Sequence, residues 1–362
     1  MAIFIFIGVL LLLIVGHEFG HFIVAKLFGM RVDEFGVGFP PKIAGTKIGE
    51  TEYTLNWFPF GGFVRIWGEE GQDADDPRVF SNRPVLHQAA VLFAGPLMNV
   101  VMALILSAIA FAIGTSAVIS EENAAYISGE PRVVVGAVLP GSPAEAAGIE
   151  AGDTIRAIST GFEAHFVASS EEVSERISAA ERAVTLTMER SGNTLQIEIE
   201  PVAGLIENDP SRRAVGIATA LVGTVAYPMP LALWKGVSDT ARDTVFITVS
   251  IAMLIADAFT LSADVSNIAG PVGIATLTGE AAGFGAGALL SFAALLSVNL
   301  AIINLLPFPA LDGGRLVLLG VETAMRRRIP AGVAQAVNAG GFFVLVLLMI
   351  AVTFQDVTRL LG

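Results

Sequence analysis

The chain has 362 residues, of which 54% are hydrophobic and only 15% are charged, and its mean hydropathy is +0.69. Soluble globular proteins carry about 25% charged residues, so the composition excludes an ordinary soluble enzyme. The absence of cysteine excludes disulfides, thiolate metal sites and iron–sulfur clusters, and the formal charge of −13 argues against a nucleic-acid partner.

Four stretches are long and apolar enough to cross a bilayer, which takes about 20 residues of helix. They are residues 2–28, 88–119, 286–306 and 337–354. A fifth apolar run, 245–259, is shorter and contains Asp257, and the segment before it carries Trp234 and several charges. This pattern is typical of an interfacial helix, so we expect the run to lie on the membrane or to re-enter it.

The loops 29–87 and 307–336 are rich in lysine and arginine, so the positive-inside rule predicts that both are cytoplasmic. The region after the second span is then extracytoplasmic. Residues 121–213 hold 16 acidic residues against seven arginines, so most of the negative charge belongs to this insert. We expect a multi-pass protein of the cell (inner) membrane with one small extracytoplasmic domain.

The first predicted span contains the pattern HExxH, at His17-Glu18-Phe19-Gly20-His21. On a helix the two imidazoles lie on one face and can bind one Zn²⁺, and the adjacent glutamate can act as a general base toward water. Three ionisable groups inside a membrane span are costly unless they have a partner. The alternatives are a polar contact between helices or a proton relay.

Two histidines do not complete a catalytic zinc site, which usually has three protein ligands and a water molecule. The candidates for a third ligand in apolar surroundings are Asp257, Asp264, Asp312 and Glu322. Asp312 has the most suitable context, because two prolines precede it and two glycines follow it. Prolines interrupt the helix and glycines permit close approach of the backbone, which is tolerated at membrane depth where it lines a cavity.

The insert is predicted to be globular, with strands at 133–135, 154–158, 184–189 and 195–199 and a helix over 170–180. The sequence LPGSPAEAAGIEAGDTIRAI at 139–158 resembles the bacterial PDZ domain in its permuted form. Such a domain binds peptides by strand addition. The alternative is a spacer or steric filter that binds nothing tightly.

Several motifs together resemble the bacterial site-2 protease family, of the regulator of sigma-E protease type. They are HEFGH at 17–21, GPLMN at 95–99, the PDZ-like insert, GPVGI at 270–274 and NLLPFPALDGG at 304–314. The resemblance covers nearly the whole chain. It departs from the well-known sigma-factor-regulating members in one respect, because they carry two PDZ domains and this insert has room for one.

The resemblance implies that His17, His21 and Asp312 bind one Zn²⁺ and that Glu18 is the catalytic base. It further implies that Asn304 helps to hold the substrate backbone. The substrate-binding edge of a re-entrant β-hairpin is implied for Gly62, Phe63 and Val64. The run 53–67, with its central Gly61-Gly62, independently predicts a hairpin, for which an ordinary cytoplasmic hairpin is the alternative.

The expected fold is therefore a polytopic α-helical membrane protein with four transmembrane helices, a cytoplasmic-side re-entrant β-hairpin and an inserted extracytoplasmic PDZ α/β domain. The expected divisions are a protease part at 1–119, the PDZ-like domain at 120–225, interfacial helices at 226–285 and a second membrane part at 286–362.

The expected function is intramembrane zinc-dependent proteolysis of transmembrane segments, with the active site toward the cytoplasm. The implied substrates are membrane proteins already cut once by another protease, of the anti-sigma-factor or signal-peptide-remnant type. The rival interpretations are a metal-stabilised membrane scaffold whose PDZ domain recruits partners and a proton-coupled transporter.

Overall fold

The computed structural model describes residues 1–69, 76–160, 163–190, 192–206, 209–260 and 269–361. Its helices are α1 (Ala2–Leu27), α2 (Val85–Ile113), α3 (Pro143–Ala146), α4 (Ser170–Ala179), α5 (Met229–Phe259), α6 (Pro271–Gly283), α7 (Ala286–Leu305), α8 (Asp312–Met325) and α9 (Ala331–Leu361). Its strands are β1 (Val32–Ile48), β2 (Thr51–Ile66), β3 (Thr115–Val118), β4 (Arg132–Val138), β5 (Thr154–Thr160), β6 (Glu163–Phe166), β7 (Val184–Arg190), β8 (Asn193–Ile199) and β9 (Ile217–Val225). The chain divides into a unit formed by residues 1–112 with 228–362 and a unit formed by residues 113–227. We call these the membrane unit and the β unit.

Four helices of the described chain, α1, α2, α7 and α9, are long and apolar enough to cross a membrane. They correspond to the four predicted spans. The predicted end of the second span at residue 119 was wrong, because Gly114 takes a positive φ of 103° and residues 115–118 form β3. The fourth helix is longer than predicted and begins directly after Pro330.

The fifth apolar run is part of α5, a continuous helix of 31 residues. Ile247 of α5 is buried in one apolar cluster with Leu13 of α1, Leu106 of α2 and Val298 of α7. Ile247 thus packs against the helix bundle, while Val245, Phe246 and Met253 of the same helix are exposed. That this run lies on the membrane or re-enters it stays a prediction. The candidate ligand Asp264 lies outside the described residues.

Helices α1 and α2 pack closely because α1 presents glycines to α2. A Cβ atom at Gly20 would lie 2.3 Å from the carbonyl oxygen of Ala94, and one at Gly16 would lie 1.9 Å from the sulfur of Met102. Glycines four residues apart allow two transmembrane backbones to approach in this way. The approach brings the polar residues of α1 against the backbone of α2.

Strands β1 and β2 form a two-stranded antiparallel sheet in which each strand is bent. Gly36 in the first half of β1 pairs with Phe63 on one side and with Thr54 on the other. The first half of β1 lies between the two halves of β2, and the second half of β1 pairs with the outer side of the first half of β2. The second half of β2 therefore lies at the opposite edge of this small sheet. The hairpin predicted within 53–67 was therefore misplaced. Its two halves pair with β1 and not with each other, and Gly61-Gly62 lies within β2.

The β unit contains an antiparallel sheet with the strand order β3-β9-β4-β5-β7-β8, and β6 pairs with β5. The strands and the helix predicted for the insert are confirmed. Its core is apolar and includes Val133, Ile155, Ile158, Val173, Leu186 and Met188. Helix α4 contributes Val173 to this core and is capped by Ser169, whose hydroxyl accepts from the amide of Glu172.

One buried ion pair fastens the turn before β5 to the end of β7. Arg190 donates to both carboxylate oxygens of Asp153 at 2.6 and 2.7 Å, and the amide of Glu150 donates to the same carboxylate at 3.0 Å. Burial of Asp153 opposes its ionisation, yet the hydrogen bonds from Arg190 outweigh it, so its pKa lies below the ordinary 3.8. This stabilisation is complete above pH 3.8 and is lost as the pH falls through the lowered pKa.

We expect Arg190→Met to destabilise the β unit by about 2–3 kcal/mol, because it leaves a buried carboxylate without its charged donor. The measurement is denaturant-dependent hydrogen–deuterium exchange of the β5 and β7 amides at neutral pH. Arg156→Met is the matched control, since Arg156 pairs with the exposed Glu189 and its loss should cost less than about 1 kcal/mol. Equal effects of the two substitutions would contradict this account of Asp153.

Candidate metal centre

The two histidines of the HExxH pattern lie on one face of α1 and are both buried. Because they are four residues apart, one helical turn brings their rings together. The Nε2 atoms of His17 and His21 are 3.2 Å apart. Both point at the same spot, which is where a third ligand has to arrive.

Asp312 arrives at this spot as the first residue of α8. Pro307 and Pro309 end α7 and prevent the helix from continuing, and α8 then folds back against the end of α7. A Cβ atom at Gly313 would lie 2.3 Å from the carbonyl oxygen of Leu305, so only glycine permits this fold-back. The close backbone approach predicted for the paired glycines is confirmed.

The three ligand atoms have the spacing that a tetrahedral metal ion requires. The Oδ2 atom of Asp312 lies 3.0 Å from Nε2 of His17 and 3.3 Å from Nε2 of His21. Ligands bound to zinc at about 2.0 Å in tetrahedral geometry are about 3.3 Å from one another. Oδ2 of Asp312 is buried without a hydrogen-bond partner in the described chain, as expected of an atom that binds a metal. The residues fit a zinc ion.

The other candidate ligands in the described chain lie elsewhere. Within the part of the chain that the structure describes, one group of three or more potential metal-binding side chains converges, namely His17, His21 and Asp312. Glu322 instead accepts a hydrogen bond from the amide of Ile329 at the end of α8. Asp257 belongs to the last turn of α5.

Helix α2 supports both imidazoles with groups eight residues, or about two turns, apart. The carbonyl oxygen of Val91 lies 2.7 Å from Nδ1 of His21, and the amide of Asn99 lies 3.3 Å from Nδ1 of His17. A neutral histidine that donates from Nδ1 keeps the lone pair of Nε2 for a metal. Between these two supports lies Gly95, where a Cβ atom would be 2.3 Å from Nε2 of His21.

The glutamate of the HExxH pattern faces the edge of the small sheet. The amide of Val64 donates to Oε2 of Glu18 at 3.1 Å, and a Cβ atom at Gly62 would lie 3.5 Å from Cγ of Glu18. The second half of β2 therefore runs beside the general-base candidate. Phe63 turns away from α1 and stacks on Phe39.

Two further polar residues, Asn304 and Arg315, belong to α7 and α8, the helices that meet near the candidate metal centre. Asn304 is half-buried in the last turn of α7, and no hydrogen bond joins its side chain to the three ligands in the described chain. Arg315, one turn after Asp312, forms an ion pair with Glu69. This pair is not predictable from the sequence, because the two residues are far apart in the chain and no local pattern joins them.

Comparisons with known proteins bear on the whole chain. The pattern described as "Peptidase family M50" matches residues 5–348. A Clostridium perfringens protein whose name describes it as a zinc metalloprotease is 37% identical over 346 residues, covering 95% of each chain. One from Synechocystis is 31% identical over 98% of this chain and 94% of its own. A chloroplastic membrane metalloprotease of Arabidopsis thaliana is 31% identical over 98% of this chain and 78% of its own.

We expect Gly95→Ala to lower zinc affinity by more than about tenfold, because the added methyl group displaces the His21 ring and metal–ligand distances tolerate only about 0.2 Å. Zinc content and chelator competition of the purified chain measure this. Gly340→Ala is the control, since a Cβ atom there has no neighbour within 4 Å. Unchanged zinc binding in Gly95→Ala would mean that the metal lies elsewhere.

Proposed function

This chain belongs to peptidase family M50, and from that premise we propose that it is a membrane-embedded zinc metalloendopeptidase that cleaves transmembrane segments of other membrane proteins. The observation that carries the proposal is the convergence of His17, His21 and Asp312 next to Glu18, with both histidines in a helix that is long and apolar enough to span the membrane. A purely structural zinc site has four protein ligands, whereas three ligands leave a position for water and substrate.

In this proposal His17, His21 and Asp312 hold one Zn²⁺, and Glu18 handles the proton. The metal, when bound, supplies Lewis acidity toward water and toward the scissile carbonyl. Glu18 accepts a proton from the attacking water and delivers it to the nitrogen of the leaving group. The peptide bond therefore breaks with release of a neutral amine and not of an amide anion. Before a substrate strand pairs with β2, the amide of Val64 donates to the Glu18 carboxylate.

Presenting a substrate requires that a transmembrane helix first unwind, because a helix satisfies its own carbonyl groups internally. We propose that the unwound segment pairs with the edge of β2 at Gly62, Phe63 and Val64, by addition of one more strand. That edge runs beside Glu18, which supports this position for the substrate. Asn304 is proposed to donate to the substrate backbone or to the developing oxyanion.

The β unit is proposed to be a PDZ-like domain on the extracytoplasmic side, acting on substrates before they reach the metal. The excess of acidic residues between 121 and 213 and the basic loops of the membrane unit support this orientation. The proposed setting is the cell (inner) membrane. The proposed substrates are membrane proteins that another protease has already shortened, in a regulated sequence of cleavages.

Glu18→Gln should lower the rate of cleavage of a transmembrane model substrate by at least about 100-fold, because the amide cannot accept the proton. The measurement is the cleavage rate of the full-length protein in vesicles, with a zinc chelator as a second arm that should stop the wild type. Glu280→Gln is the matched control, an exposed glutamate in α6 of the same unit. Residual cleavage by Glu18→Gln at the control's rate would overturn the proposal.

Asn99 is proposed to fix the orientation of His17. Its Oδ1 is buried without a partner in the described chain, while its Nδ2 faces Nδ1 of His17 at 3.3 Å. Rotation of the amide about its own axis places Oδ1 opposite that ring nitrogen, where it accepts the Nδ1 hydrogen and leaves Nε2 for the metal. Oδ1 then has a partner, and the Nδ1 hydrogen of His17 has an acceptor.

Asn99→Leu should therefore weaken zinc binding about 10–100-fold, since supporting partners of metal-binding histidines have effects of this size. Asn99→Asp keeps an acceptor and should stay near the wild type. Chelator competition measures both affinities. Asn299→Leu is the control, because that amide donates to the Leu295 carbonyl of its own helix. Equal affinities for Asn99→Leu and Asn99→Asp would refute the assigned role.

A further inference from the structure

A large cavity lies at one end of the membrane unit. Its volume is about 1030 Å³, and α2, α8 and α9 border it. Val85, the first residue of α2, and Ala331, the first residue of α9, both line the cavity. Since α2 and α9 are both candidate membrane spans, the cavity lies where they enter the apolar layer, at the depth of lipid headgroups.

The polar part of the lining is basic. Five arginines and two glutamates face the cavity, namely Arg83, Arg315, Arg326, Arg327, Arg328, Glu69 and Glu322. These side chains sum to a net charge of +3. The acids are already engaged, Glu69 with Arg315 and Glu322 with the amide of Ile329. A counter-charge for the remaining arginines is missing from the lining that the structure describes.

Two of the arginines keep donors available for a ligand. Arg83 is half-buried and donates from Nη2 to the carbonyl oxygen of Gly29. Arg326 and Arg327 are exposed, and no described residue forms an ion pair with either side chain. Arg328, in contrast, donates to the carbonyl oxygen of Ser81 and so holds one wall in place. Planar guanidinium groups with free donors are suited to phosphate.

The lining also has an apolar part, which includes Phe80, Leu92, Leu318, Leu319 and Ile329. A ligand that satisfies both parts carries a phosphate and an acyl chain. We propose that this cavity binds the headgroup of an anionic phospholipid, with Arg326 and Arg327 as donors to its phosphate. Basic pockets between transmembrane helices are known to hold such headgroups. This inference goes beyond the proposed function and does not depend on proteolysis.

The test is native mass spectrometry of the full-length protein in detergent, titrated with phosphatidylglycerol, with phosphatidylcholine and inorganic phosphate as parallel arms. We expect phosphatidylglycerol to bind more tightly than phosphatidylcholine. The double variant Arg326→Gln/Arg327→Gln should weaken its binding about 25-fold, since each arginine near a lipid phosphate contributes about 1 kcal/mol. Arg326→Lys/Arg327→Lys keeps the charge and should stay within a few-fold of the wild type.

The matched control is Arg132→Gln/Arg182→Gln, which removes the same charge from exposed positions in the β unit. It should leave phosphatidylglycerol affinity unchanged. The proposal is overturned if the two glutamine double variants behave alike. It is also overturned if inorganic phosphate shows the same dependence on Arg326 and Arg327 while phosphatidylglycerol binds no better than phosphatidylcholine, because the cavity would then be a site for a free anion.

Discussion

The close approach of α1 to α2 determines where the groups of the metal centre lie. Glycines at 16 and 20 remove the side chains that would hold the helices apart, and Gly95 leaves room for the two imidazoles. With a longer separation, neither the Val91 carbonyl nor the Asn99 amide could reach the histidine rings. A polar site in an apolar bundle depends on such contacts, because the apolar surroundings offer no substitute for a missing hydrogen-bond partner.

The same constraint explains why the third candidate ligand, Asp312, comes from a broken helix. If α7 continued as a helix past Leu305, its backbone would stay at the usual distance between packed helices. The carboxylate of Asp312 would then be carried past the imidazoles. The prolines end α7, and the glycines at 313 and 314 let α8 start against the carbonyl groups of the preceding loop. Part of this non-helical backbone packs against α9, where a Cβ atom at Gly341 would lie 2.6 Å from the carbonyl oxygen of Pro309. Irregular backbone is tolerated at membrane depth where it packs against protein.

Much of the centre was predictable from the sequence, because its signals are local. The four-residue spacing places His17 and His21 on one face of any helix, and the proline and glycine pattern around Asp312 indicates a backbone adapted to a site. The supports could not be predicted. That Val91 and Asn99 face the rings, and that Val64 reaches Glu18, follows from the register between elements, which local patterns do not specify.

The errors in the prediction have the same origin. The apolar pattern that favoured a longer second span continues into residues that pair with β9, and a strand partner distant in sequence overrides local preference. The aromatic run around Gly61-Gly62 has the composition of a hairpin, but its partner is β1 on both sides of Gly36. Pairing partners, and not composition, decide where a strand turns.

X-ray absorption at the zinc edge of the purified protein tests the central claim most directly, because it reports the ligands themselves. The chain has four histidines and no cysteine. The account predicts two imidazole nitrogens per zinc, with the remaining ligands all oxygen, at about 2.0–2.1 Å. A centre with one imidazole, or with three, would contradict the assignment of His17, His21 and Asp312 as the metal ligands.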